Sequence, residues 1–87
     1  MWAQDLSKGL EAYNSGDFAT ALKEWKPLAE QGDATSQFIL ALMYANGDGV
    51  TQDYATAEKW FRKAAEQGLA EAQVNLDLLL NKTPEAA

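Results

Sequence analysis

The chain has no cysteine and no histidine. The first absence rules out a disulfide framework and a thiolate metal site, and it leaves the redox compartment open. Together the two remove the usual bases and nucleophile pairs of enzymes. Basic residues are scarce as well. Seven lysines and arginines stand against thirteen acids, giving a net charge of −6. They form no basic run, which disfavours phosphate-driven binding to DNA or RNA. Binding to an anionic membrane surface is disfavoured for the same reason. Long hydrophobic runs are missing too. FILALMYA, Phe38 to Ala45, falls far short of the roughly 18 to 20 residues that cross a bilayer. Met1-Trp2-Ala3-Gln4-Asp5 reads as an ordinary helix start, with the stub of a small-residue cleavage site as the alternative.

What is present is apolar and repetitive. Apolar residues make up 47% of the chain, with three each of Trp, Tyr and Phe, too many for a disordered acidic tail. A length of 87 residues suits one domain or one compact array. AEQGDA at Ala29 to Ala34 returns thirty-six residues later as AEQGLA, Ala65 to Ala70. The same shift pairs Asp17 with Asp53, Phe18 with Tyr54, and Ala19-Thr20-Ala21 with Ala55-Thr56-Ala57. Lys23 falls on Lys59 and Trp25 on Phe61; Gln37, Leu40 and Leu42 fall on Gln73, Leu76 and Leu78. The register runs without a gap from Asp17 to Asn81. A period in this range points to a solenoid of stacked units.

Each unit reads as helices. Tyr54, Ala57, Trp60, Phe61, Ala64 and Ala65 fill one helical arc, and Lys59, Arg62, Lys63 and Glu66 fill the opposite one, the mark of an amphipathic helix. Asp53 can cap its start and Gly68 can end it in a left-handed turn. Phe18, Ala21, Leu22, Trp25, Leu28 and Ala29 draw the same arc in the first copy. Pro27 there predicts a mild kink or a short irregular turn. Ala34 to Asn46 is apolar nearly all round, so it must be covered on several sides. The expected helices are residues 4–15, 18–31, 34–46, 54–67 and 70–82. They form one domain over residues 1–87, with helix pairs 4–31 and 34–67 and a terminal helix 70–82. Short links predict that sequence neighbours pack antiparallel. The longer link holds Gly47, Asp48, Gly49 and Val50, with Val50 expected to tuck the loop onto the helices.

Two stretches carry a family resemblance. ALMYANGDGVTQDYATAEKWFRKAAEQGLAEAQ, Ala41 to Gln73, and GDFATALKEWKPLAEQGDA, Gly16 to Ala34, resemble the Sel-like repeat family of the tetratricopeptide superfamily. The resemblance covers about two and a half repeats. It implies an all-α fold, a right-handed α-solenoid of helix-turn-helix units, which binds other proteins and has no catalytic chemistry. It also implies a bacterial source, with an exported chain favoured over a cytoplasmic one. Where the family often has Leu-Gly, this chain has Leu40-Ala41 and Leu76-Asp77. An aspartate there requires an open, watered side.

No cofactor and no metal are expected. Asp48 and Asp53 on a glycine-rich loop fail the alternating oxygen pattern of a calcium loop. Gly47-Asp48-Gly49 follows a helix and lacks the third glycine of a nucleotide fingerprint. Asn81-Lys82-Thr83 matches a glycosylation sequon by chance composition. Tyr13, Phe18, Trp25, Tyr44, Tyr54, Trp60 and Phe61 read as core.

By resemblance, the first helix of each unit lines a concave groove. The groove positions are then Gln4, Ser7, Glu11 and Asn14; Thr35, Phe38, Leu42 and Asn46; and Glu71, Val74, Leu78 and Lys82. Phe38, Leu42, Val74 and Leu78 are expected to form an apolar strip that takes a partner peptide or protein. Helical spacing supports this independently. Leu69, Ala72, Leu76, Leu79 and Leu80 share a docking face, which leaves Val74 and Leu78 on the far side among Asn75, Asp77 and Asn81. The alternative is self-association, a homodimer through the terminal helix. A role as a cell-wall enzyme or inhibitor, linked to some cysteine-rich relatives, is disfavoured by the absence of cysteine.

Overall fold

Aspartates mark where three of the helices begin. The computed structural model describes the backbone of residues 6–82 and the side chains of residues 7–81. Within it lie α1 (Leu6–Asn14), α2 (Phe18–Glu30), α3 (Ala34–Asn46), α4 (Tyr54–Glu66) and α5 (Ala70–Lys82). No strand occurs among the described residues. Asp17 accepts the Thr20 N–H at 3.3 Å, and Asp33 accepts the Ser36 N–H at 2.8 Å. Asp53 accepts the N–H groups of Ala55 and Thr56 at 3.1 and 3.3 Å. Each carboxylate thus satisfies donors that the first helical turn leaves open.

The ends of α2 and α4 are built alike. The Leu69 N–H reaches back to the Ala64 carbonyl and the Gly68 N–H to that of Ala65. Asp33 and Gly32 bond the carbonyls of Leu28 and Ala29 in the same way. These are Schellman closures, and Gly68 at φ +95° supplies the left-handed residue they need. The doubled phrase AEQG is therefore the helix stop, written twice. Both helices end one residue earlier than expected, as does α1; Gln31 and Gln67 serve as caps. Of the two outcomes expected at Pro27, a mild kink or a short irregular turn, the turn does not occur: α2 runs unbroken across it. Pro27 and Lys23 are both exposed, so the ring projects into solvent and water can serve the carbonyl that loses its donor.

Packing follows the order of the chain. The main contacts pair α1 with α2, α2 with α3, α3 with α4 and α4 with α5, in a body of 45 × 27 × 17 Å. Two apolar clusters form the core. One gathers Ala12, Ala21, Trp25, Leu28 and Met43; the other is built around Leu40, Ala41, Trp60, Phe61, Leu76 and Leu79. Helix α3 serves both, with Met43 and Ile39 in the first and Leu40 and Ala41 in the second. That shared duty is why it needs to be apolar all round. No helix among the described residues is long and apolar enough to cross a membrane.

The long loop after α3 closes onto the first helix pair. Gly49 has φ +76°, and a Cβ placed on it would lie 2.6 Å from the Cβ of Phe18. Only glycine allows both this backbone angle and this approach. Val50, expected to tuck the loop onto the helices, is half-buried and is not among the side chains packed on either core cluster. Asp48 accepts the Tyr13 hydroxyl at 3.3 Å. Burial, and then the nearby Asp48 charge and hydrogen bond, raise the Tyr13 pKa above its ordinary value.

Candidate binding groove

Helix α5 repeats the register of α3 without a following helix to cover it among the described residues. The consequences are visible position by position. Gln37 and Ala41 are buried; Gln73 and Asp77, one period on, are exposed and bond each other at 3.1 Å. The open side that Asp77 requires is present. Phe38 and Leu42 are half-buried against the second cluster, with the Phe38 ring 5.8 Å from that of Phe61. Their counterparts Val74 and Leu78 are 57% and 55% exposed. On the docking side of α5, Ala72, Leu76 and Leu79 are buried, but Leu80 is 43% exposed. Leu80 therefore departs from the expected docking face. It occupies the place of Tyr44 one repeat earlier, and Tyr44 packs against the α3–α4 core.

Between α3, α4 and α5 lies a cleft of about 320 Å³. Leu42, Ala45 and Asn46 of α3, Gln52 of the loop, Tyr54 and Phe61 of α4, and Asn75, Leu78 and Leu79 of α5 line it. Of the expected groove residues, the cleft brings together Leu42, Asn46 and Leu78. Thr35 and Glu71 are exposed elsewhere on the surface, and Phe38 and Val74 are absent from the lining. Ser7, Glu11 and Asn14 are exposed on α1. Gln4 and the Lys82 side chain lie outside the described residues.

Sequence reasoning missed Gln52, Asn75, Tyr54 and Phe61 as lining. The aromatic pair reads as core, and Phe61 is indeed buried; only the third dimension shows that its edge also floors a cleft. Gln52 donates to the Ala45 carbonyl at 2.8 Å and to the Tyr54 hydroxyl at 3.4 Å. Its place in the longer of the two links was the available signal. Asn75 donates to the Glu71 carbonyl at 2.8 Å.

No lining residue carries a charge. The nearby loop carboxylates are engaged elsewhere, Asp48 with Tyr13 and Asp53 with the start of α4. Hydrogen bonds from the Thr56 side chain and backbone hold the Asp53 pKa below its ordinary value. Among the described residues, no three of His, Cys, Asp or Glu gather as a metal site would require.

Short helices packed on their sequence neighbours, with a recurring Asp start and Gly stop, define a tetratricopeptide-like helical repeat. The repeat is of one kind: residues 34–69 match the Sel1 repeat, which belongs to the tetratricopeptide-like superfamily. Such repeats generally mediate protein–protein interaction and are typically non-catalytic. The chain is also similar to an exopolysaccharide production negative regulator of Rhizobium leguminosarum bv. viciae, with 48% identity over 50 residues. That alignment covers 56% of this chain and 19% of the regulator, so the chain spans about a fifth of that relative's length. No solved structure matches it significantly.

Proposed function

We propose that this chain is a non-catalytic interaction module that holds a segment of a partner protein on the face shared by α3 and α5. The observation that carries the reading is the exposure of Val74 and Leu78 beside a cleft with an apolar floor. Apolar side chains left in water next to a concavity favour a partner that covers them. The related regulator suits this reading, since a repeat array influences a process by holding one of its components. The test is affinity capture from the source cell, comparing the parent chain with a Val74→Asp/Leu78→Asp variant. Both sites are more than half exposed, so the variant is expected to melt like the parent and to lose its specific partner. Equal capture by a folded variant would overturn the proposal.

A second reading rests on the same helix. Val74, Leu78 and Leu80 are all exposed on α5, and a second copy of the chain would cover them in a homodimer. Sedimentation over a concentration series distinguishes the two. A monomer at high concentration removes the dimer; a concentration-dependent dimer lost on Leu78→Asp supports it.

A further inference from the structure

We infer that the outer flank of α5 is a stop: Asp77, with Gln73 bonded to it, keeps a further apolar helix from stacking on α5 in the way that α4 stacks on α3. This flank lies beside the arc of Val74 and Leu78, and its role does not depend on the partner reading above. The template is the contact between α3 and α4. Gln37 and Ala41 are 5% and 0% exposed there, and Ala41 lies in the cluster that α3 shares with α4. Tyr44 and Ala45 pack against the same cluster. Gln37 spends both ends of its amide on other elements, donating to the Ala29 carbonyl and accepting from Gln67. Small or apolar side chains at the crossing, and an amide that bonds outward, let the second helix close in.

On α5 these conditions are reversed. One period on, Ala41 becomes Asp77, Ala45 becomes Asn81 and Tyr44 becomes Leu80. Gln37 is kept as Gln73, but its amide donates to Asp77 at 3.1 Å, inside its own helix. The change is selective. Phe38 and Leu42 keep apolar counterparts in Val74 and Leu78, so α5 has turned polar at the crossing positions and not over its whole free surface. A helix of the α4 kind would bring a buried face of Ala57, Trp60, Phe61 and Ala64, which holds no cation for a carboxylate. Docked there, it would strip water from Asp77 and leave the charge unpaired, a cost that the added apolar contact must exceed. Asp77 is exposed in the chain as it stands and keeps its water. Repeat arrays need a polar outer face where stacking ends, and Asp77 supplies one. An α4-like helix from a second copy meets the same obstacle on this flank.

The test extends the chain. A second copy of residues 47–68 is joined after Lys82 in place of residues 83–87, which continues the repeat in register. The extension is made with Asp77 and with Asp77→Ala. Each is compared with its own unextended chain by amide hydrogen exchange and urea denaturation. With Asp77 in place, the appended amides are expected to exchange like those of a free peptide, and the urea midpoint to match that of the unextended chain. With Asp77→Ala, the appended amides should exchange about tenfold more slowly or better. The midpoint should also rise above that of the unextended Asp77→Ala chain, a comparison that removes the helix propensity of alanine. Equal protection in both extended chains would overturn the inference, because Asp77 would then be no obstacle. Lack of protection in both would overturn it as well, since something other than Asp77 would bar the helix. Capture of a partner through Val74 and Leu78 is read in the parent chain and stands or falls apart from either result.

Discussion

Gly9 sits inside α1, where alanine is ordinarily the better helix former by about 0.5–1 kcal/mol. Its reason is its neighbour. A Cβ at this position would lie 2.4 to 2.8 Å from three indole atoms of Trp25, and Trp25 is 1% exposed, with no free space to retreat into. Overpacking of this kind typically costs about 1–3 kcal/mol, so the clash outweighs the gain in helix propensity. Gly9→Ala is expected to destabilise the chain by about 1–2 kcal/mol, and urea denaturation measures it. An unchanged midpoint would mean that the ring does not press on α1. Periodicity does not mark Gly9, because a lone glycine in a short helical pattern reads as a weak helix former; the tight approach of the ring needs coordinates. Phe61, by contrast, reads as core from its spacing and is 2% exposed. Phe61→Ala should cost about 3–5 kcal/mol, seen as a large fall in melting temperature.

Between elements, the doubled glutamines carry a link that the repeat pattern displays without explaining. Gln37 is buried and donates to the Ala29 carbonyl at 3.0 Å. Its own carbonyl accepts from Gln67 at 3.0 Å, and Gln67 also donates to the Gly32 carbonyl at 2.8 Å. One amide pair thus ties the end of α2 to α3 and to the end of α4. Gln73 is the same residue one period later, exposed and bonded only within α5. Truncating Gln37 removes two hydrogen bonds, each about 0.5–1.5 kcal/mol net, while the Ala29 carbonyl keeps the Gly32 N–H. Gln37→Ala should therefore lower stability by that order, and Gln73→Ala should lie within about 0.5 kcal/mol of the parent. Equal effects in thermal melts would show that the link contributes nothing special. The loop latch belongs to this scale as well. Its stabilisation by neutral Tyr13 is complete below the ordinary tyrosine range and lost as pH rises through the raised folded value. Alkaline titration, followed by tyrosinate absorbance, should show a step above the ordinary tyrosine range that a Tyr13→Phe variant lacks. A Tyr13→Phe variant that loses only a step within the ordinary range would remove the latch. Helix number and placement were legible because Asp starts, Gly stops and apolar arcs are local signals. Leu80 was misplaced because one helical wheel does not say which flank a neighbouring helix covers.

Across the molecule, the two apolar clusters share α3, so neither helix pair has a core that can be lost alone. Trp25 reports one cluster and Trp60 the other. With Trp2 replaced by Phe, single-tryptophan variants carrying Trp60→Phe or Trp25→Phe should each show one unfolding transition, centred where far-ultraviolet circular dichroism places it. Fluorescence and circular dichroism midpoints that separate within either variant would mean that α3 does not couple the halves. The repeat period made the stacked architecture readable from residues alone. The cleft was only partly readable, since its rim comes from a loop and two helices whose mutual placement no periodicity encodes. The ordering of contacts has a mechanical consequence. The main packing runs between neighbours along the chain, and the described side-chain ties reach no further than 35 residues, about one repeat. Among the described residues, none of the main packing joins α1 to α5. Under tension applied at its two ends, such a body yields by peeling from a tip, one hairpin after another, as a spring uncoils and not as a knot tightens.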